Sequence, residues 1–156
     1  MIRSAGVMRH TTEITLVNRA DEILAESGII KEEDVRRHVV HDALVDTGAT
    51  RLSLPQPLIL QLGLAPVGSA RSLTANGTVD RTIYSEVRFT VLGRSGTLEV
   101  TDLPDDAPVL VGHMVMELLD LAVDMRRGLI YNPAHDGRGI EEQLWNRPST
   151  DGPVGS

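Results

Sequence analysis

The stretch Ala43-Leu44-Val45-Asp46-Thr47-Gly48-Ala49-Thr50 decides how this chain is read. An apolar run ends on a carboxylate, which is followed at once by a hydroxyl and a glycine. Such a pattern reads as a buried strand that stops at Asp46, where the chain must turn. Two readings of Asp46 are open at this point. Asp, Thr and Gly all favour turns, through local hydrogen bonds and tolerance of positive φ, so the acid can be an ordinary turn cap. A carboxylate presented at a strand end can equally be half of a catalytic pair.

Outward from Asp46, Val35 to Val45 reads as the strand that enters the turn, and Leu52-Ser53-Leu54 resumes in β style after it. Glu13-Ile14-Thr15-Leu16-Val17 alternates as a half-buried strand does, and ADEILAES (residues 20–27) suits a short helical turn. Pro55-Gln56-Pro57 followed by LILQLG predicts a short helix, because proline tolerates a first helical turn and Gly63 suits its end. Arg71 to Asp102 is β in texture. Within it, RSLTANGTVDRT centres on Asn76-Gly77, the dipeptide best suited to a tight type I′ hairpin. A second hairpin is expected from residues 87–91 and 97–101, with Gly93 to Gly96 as its turn. After an acidic loop from Pro104 to Pro108, Val109-Leu110-Val111 makes a short apolar strand that Gly112 breaks, and Met114 to Leu121 reads as a short helix. LAVD and LIYN flank Met125-Arg126-Arg127-Gly128 as a last strand pair. Residues 1–11 and 135–156 are patternless or rich in Gly, Pro and charge, so one domain over residues 12–134 is expected between flexible tails.

The totals narrow the function classes. A chain of 156 residues supports one domain with a real core, too small for two enzyme lobes. One Trp, one Phe and two Tyr leave that core aliphatic. A net charge of −7, with no basic block beside aromatic platforms, argues against nucleic acid as a partner. The absence of cysteine excludes disulfides, a thiol nucleophile and thiolate metal sites. No run approaches the ~18 apolar residues of a membrane span and no signal-like apolar region opens the chain, so a cytoplasmic protein without membrane partners is expected.

The order of these features resembles the retropepsin-like aspartic proteases, in their single-domain bacterial type. The residues that carry the likeness are the apolar strand ending in Asp46-Thr47-Gly48-Ala49, the later Asn76-Gly77 hairpin, and Val109-Leu110-Val111-Gly112 before a short helix. Gly112 follows Asp46 by 66 residues, a separation similar to the family's, and the likeness spans about Glu13 to Asn132. LPQPLILQLGL and VDMRRGLIYNP also look like the bacterial members. The resemblance implies an all-β fold, a closed barrel with one short C-terminal helix, and a homodimer that uses neither metal nor cofactor. It implies that Asp46 is catalytic, that Thr47 hydrogen-bonds across a two-fold axis, that Gly48 offers its N–H to Asp46, and that Ala49 lines the cleft. Ala75, Asn76, Gly77 and Thr78 become the flap that covers substrate, and Leu110, Val111 and Gly112 support the active-site loop from behind. The flap carries one glycine where retroviral flaps are glycine-rich, and His113 stands where retroviral members often have Arg.

Chemistry explains the residue types. Hydrolysing a peptide without metal or covalent intermediate requires a base for the attacking water and an acid for the carbonyl oxygen. Two adjacent carboxylates cannot both ionise cheaply, so they share one proton and supply both functions. Asp-Thr-Gly occurs once, and neither Asp102, Asp120 nor Asp124 is followed by Thr-Gly. A second copy of the chain must therefore provide the other acid. The expected activity is an aspartic endopeptidase acting on peptide or unfolded-protein substrates; the rival is a non-catalytic dimer of the same fold that binds peptides or serves assembly. A phosphotransferase built on an Asp-Lys-Thr-Gly motif lacks its lysine here, Lys31 being the only one in the chain. His38 and His41, three apart on a strand, point to opposite faces and do not read as a metal pair.

Overall fold

In the computed structural model, residues 10–124 and 126–133 are described. The expected tails lie outside them, except that His10 is buried and Thr11 opens the first strand. Strand β1 (Thr11–Asn18) keeps the alternation of its sequence, burying Thr12, Ile14, Leu16 and Asn18. It pairs antiparallel with β2 (Arg37–Val45), which runs straight into Asp46. After β3 (Ser53–Pro55) come the long arms β4 (Pro66–Thr74), β5 (Gly77–Val91) and β6 (Arg94–Leu103), and then the short β7 (Leu110–Val111). The sheet order is β1-β2-β7-β3-β6-β5-β4, and β1 also pairs with β5. That extra pairing closes six of the strands into a barrel and leaves β4 outside the ring, so no ring strand keeps a bare edge along its whole length. The last pair, β8 (Ala122–Asp124) with β9 (Leu129–Tyr131), forms a separate small hairpin.

Among the described residues, three short α-helices decorate the barrel. Helix α3 (His113–Leu118) is the one expected near the end; α1 (Arg19–Glu26) and α2 (Gln56–Leu62) occupy the ADEILAES and LILQLG segments. Gly63 ends α2 at φ 67°, the left-handed conformation that glycine adopts without cost. The core is aliphatic around a single ring: Phe89, Ile14, Leu16, Leu52, Leu54, Ile59, Leu62 and Ile130 are fully buried. Each such side chain contributes about 1.5–3 kcal/mol relative to exposure, so this set carries the fold.

Both hairpins turn at places other than the sequence predicts. Thr74 pairs with Gly77, so the first loop is Ala75-Asn76 and Gly77 takes the positive φ (114°) just after it. In the second hairpin Val91 pairs with Arg94, leaving Leu92-Gly93 as the loop with φ of 53° and 79°. This loop, not Asn76-Gly77, has the paired positive φ of a type I′ turn. Gly96 belongs to the strand because it lies opposite Phe89, and a Cβ there would stand 3.0 Å from the ring. The buried ring thus sets the register, and Leu92 accepts about 1–2 kcal/mol of left-handed strain in consequence.

A polar network locks α1 to the barrel. Asn18 caps the helix by accepting from the Asp21 N–H at 3.0 Å, and its own amide donates to the Leu62 carbonyl at 2.8 Å. Asp21, 5% exposed, accepts from the Arg36 backbone and from Arg36 Nε at 2.8 Å and Nη2 at 3.0 Å. These bonds hold the Asp21 carboxyl below its usual range, against the opposing effect of burial. A carboxyl depressed in the folded state contributes stability above the unfolded-state value of about 4, and loses it as pH falls through the folded value. Asp21→Asn is therefore expected to cost about 1–2 kcal/mol at pH 7. Thermal melts of wild type and variant should converge as pH drops below about 4, and a constant gap across that range would contradict this origin.

Candidate active site

The Asp46 loop is built by parallel pairing at the end of β2. Leu44 lies beside Leu110 and Val45 beside Val111, both fixed by the barrel. The Asp46 N–H donates to the Val111 carbonyl at 3.0 Å, so the acid leaves the sheet on a backbone that β7 holds. Immediately after it the chain turns back, with the Ala49 N–H donating to the Asp46 carbonyl at 3.0 Å. The Gly48 N–H donates to Asp46 Oδ1, also at 3.0 Å. A Cβ on Gly48 would stand 3.3 Å from that same oxygen, so glycine leaves the carboxylate room to sit on the N–H.

Behind the loop, α3 supplies the second support. The first N–H groups of a helix have no partner inside it. Here the His113 N–H donates to the Ala49 carbonyl at 2.9 Å and the Met114 N–H to the Thr50 carbonyl at 3.1 Å. The helix start and the loop complete one another. Gly112 lies at the seam, where a Cβ would fall 2.6 Å from the Arg51 carbonyl oxygen and 2.7 Å from the Thr50 carbonyl. Its φ of −83° is open to any residue, so the demand for glycine here is purely steric. Leu110, Val111 and Gly112 thus stand directly behind the loop that holds Asp46.

In the single chain the loop faces outward. Thr47 and Gly48 are exposed, and Asp46 and Ala49 are partly buried. Ala75, Asn76, Gly77 and Thr78 are exposed at the far end of the hairpin. Between loop and hairpin lies a groove of about 500 Å³, bordered by Gly48, Ala49 and Thr50 and by Ala70 to Leu73 of β4. A second hollow of about 490 Å³, between the start of β1, His41 and the Leu92-Gly93 turn, contains none of the expected site residues.

The family profile described as aspartyl protease matches residues 33–115, which carry the Asp46 loop, both hairpins and Gly112. The chain belongs to the aspartyl protease family. Among solved structures it is similar to the solution structure of the simian foamy virus (mac) protease, at 20% identity, covering 70% of this chain and 93% of that one, with a TM-score of 0.42. No curated protein matches it. The barrel, the loop and the flap-like hairpin make this a retropepsin-like aspartyl protease in family and fold.

For an aspartyl protease with an aliphatic core, the groove is unexpectedly polar. Ser53 and Thr101 border it with their hydroxyls 2.8 Å apart, beside Asp102 and the side chains of Arg51, Arg71 and Arg81. On the sequence, Asp102 is weighed only as a second acid and Ser53 only as a strand residue, and none of the three arginines is singled out. Arg51 sits one residue beyond the motif and could have been suspected there, but Arg81 enters only through the pairing of β5 with Ala70, which no local pattern encodes. His41 and His38 are placed apart in their contacts, with His41 Nδ1 2.8 Å from Glu13 and His38 Nδ1 3.2 Å from Gln61.

The seam makes a sharp prediction. Gly112→Ala meets backbone that cannot move aside, and overpacking of this kind costs about 1–3 kcal/mol or more. Gly48→Ala meets only a side-chain oxygen and should leave the chemical unfolding midpoint nearly unchanged. Equal midpoints for Gly112→Ala and wild type would show that the seam is not tight.

Proposed function

We propose that the chain is an aspartic endopeptidase that works as a homodimer, with one Asp46 from each copy. The supporting observation is that Asp46 is held by Val111 and Gly48 on an outward-facing loop beside an open groove, while each chain owns only one such acid. Two loops meeting at a two-fold axis place the carboxylates side by side, where they share a single proton. The exposed Thr47 is then in position to hydrogen-bond across the axis.

The chemistry follows from that shared proton. The ionised carboxylate takes a proton from a water molecule as its oxygen attacks the peptide carbonyl carbon, and the protonated partner gives its proton to the carbonyl oxygen. This forms a neutral gem-diol and leaves the pair with one proton again. On collapse, one hydroxyl returns its proton to the ionised carboxylate, the other carboxyl protonates the nitrogen, and the C–N bond breaks. The pair ends as it began. The hairpin tip, Ala75 to Thr78, closes over the peptide and excludes bulk water.

Substitution of Asp46 by Asn keeps the size and the Gly48 contact but removes the proton exchange. Cleavage of an unstructured protein is expected to fall by at least about a hundredfold while the solution mass stays that of a dimer. Undiminished cleavage by the dimeric variant would rule out this mechanism. Peptide retention by both proteins with product from neither would assign the fold to binding instead.

A further inference from the structure

We propose that the groove selects peptides carrying a carboxylate side chain near the scissile bond, and that Arg51 and Arg81 are the residues that recognise it. This inference rests on the peptidase reading of the same groove and names its substrate class. The chain as a whole has fifteen basic and twenty-two acidic residues, while the groove is bordered by Arg51, Arg71 and Arg81 and by Asp102. With Asp46 on the N–H of Gly48 and Asp80 beside Arg71, the border is about evenly charged, whereas the chain as a whole is acidic. At physiological ionic strength the Debye length is about 8 Å, so distant acids are largely screened and the groove's own charges dominate.

The three arginines are not equivalent. Arg71 stands 3.5 Å from Asp80, and both side chains are about three-quarters exposed, so this pair is a loose surface contact. Asp102 accepts from the Thr82 N–H at 3.3 Å, which ties it to the sheet. Arg51 and Arg81 are partly buried, and the side chain of neither forms a hydrogen bond or ion pair with another described residue. A partly desolvated guanidinium with no counter-charge gains most from an incoming carboxylate, which it can bind through two parallel N–H donors.

Both are also held in place by rigid backbone. Arg51 directly follows Thr50, whose carbonyl is fixed by the Met114 N–H, and it abuts Gly112. Arg81 lies within the β4–β5 ladder opposite Ala70, a small residue that also borders the groove and leaves the longer side chain room. One cation therefore comes from the active-site loop and the other from the hairpin. A peptide threaded between loop and hairpin passes both.

The test uses two fluorescein-labelled peptides that differ only in Glu and Asp against Gln and Asn at the central positions. Titrated into full-length Asp46→Asn protein, the acidic peptide is expected to bind about tenfold more tightly at low salt, with the advantage shrinking as salt rises. Replacing Arg51 and Arg81 by Gln in that background should erase the difference while the solution mass is unchanged. Equal affinities for the two peptides before that replacement would overturn the inference, as would loss of the dimer on replacing the arginines with no change in peptide preference, which would assign them to the subunit interface. Wild-type digestion of a peptide library separates the two claims. Asp46-dependent cleavage without acidic enrichment overturns the specificity and leaves the peptidase standing; acid-selective binding without any cleavage does the reverse.

Discussion

The contact on which the rest depends is the close approach of Gly112 to the Thr50 and Arg51 carbonyls. It lets β7 run directly into α3 without pushing the Asp46 loop away. Two sets of backbone bonds then converge on the loop, from Val111 to Asp46 and from His113 and Met114 to Ala49 and Thr50. No side chain is needed to hold the carboxylate's backbone in place. The loop is ordered by backbone bonds already present in the single chain.

The barrel is the means by which that contact is kept. Closing the sheet through β1 and β5 fixes β2, and parallel pairing of β2 with β7 fixes the point at which Asp46 leaves the sheet. The aliphatic residues that fill the interior are interchangeable in kind, but Phe89 is not, because its ring sets the β5–β6 register opposite Gly96. The outer arms β4 and β5 extend past the ring as a hairpin whose last residues are exposed. The result is a barrel wall that carries Asp46 and a hairpin that projects beyond it.

Much of this was legible in the sequence, and the boundary is physical. Strands with period-two alternation, the Pro-to-Gly bounds of α2 and the Asp-Thr-Gly turn are local features, and the chain declares them locally. The cap of α1 went unread, although asparagine is a favoured residue at that position. The hairpin loops were misplaced because turn propensity at Asn76-Gly77 and Gly93 to Gly96 was outweighed by pairing registers set elsewhere in the sheet. The arginines that border the groove were invisible for a related reason. Arg51 and Arg81 are thirty positions apart, and only the folded hairpin brings both to one groove.

Dependence on two acids from two chains is tested most directly by mixing wild type with the Asp46→Asn protein under conditions of subunit exchange, at constant total concentration. If the carboxylates act as a pair, activity falls as the square of the wild-type fraction, to about a quarter in an equal mixture. Activity that falls only in proportion to the wild-type chains present, to about half, would mean that each chain cleaves unaided and would contradict a shared site.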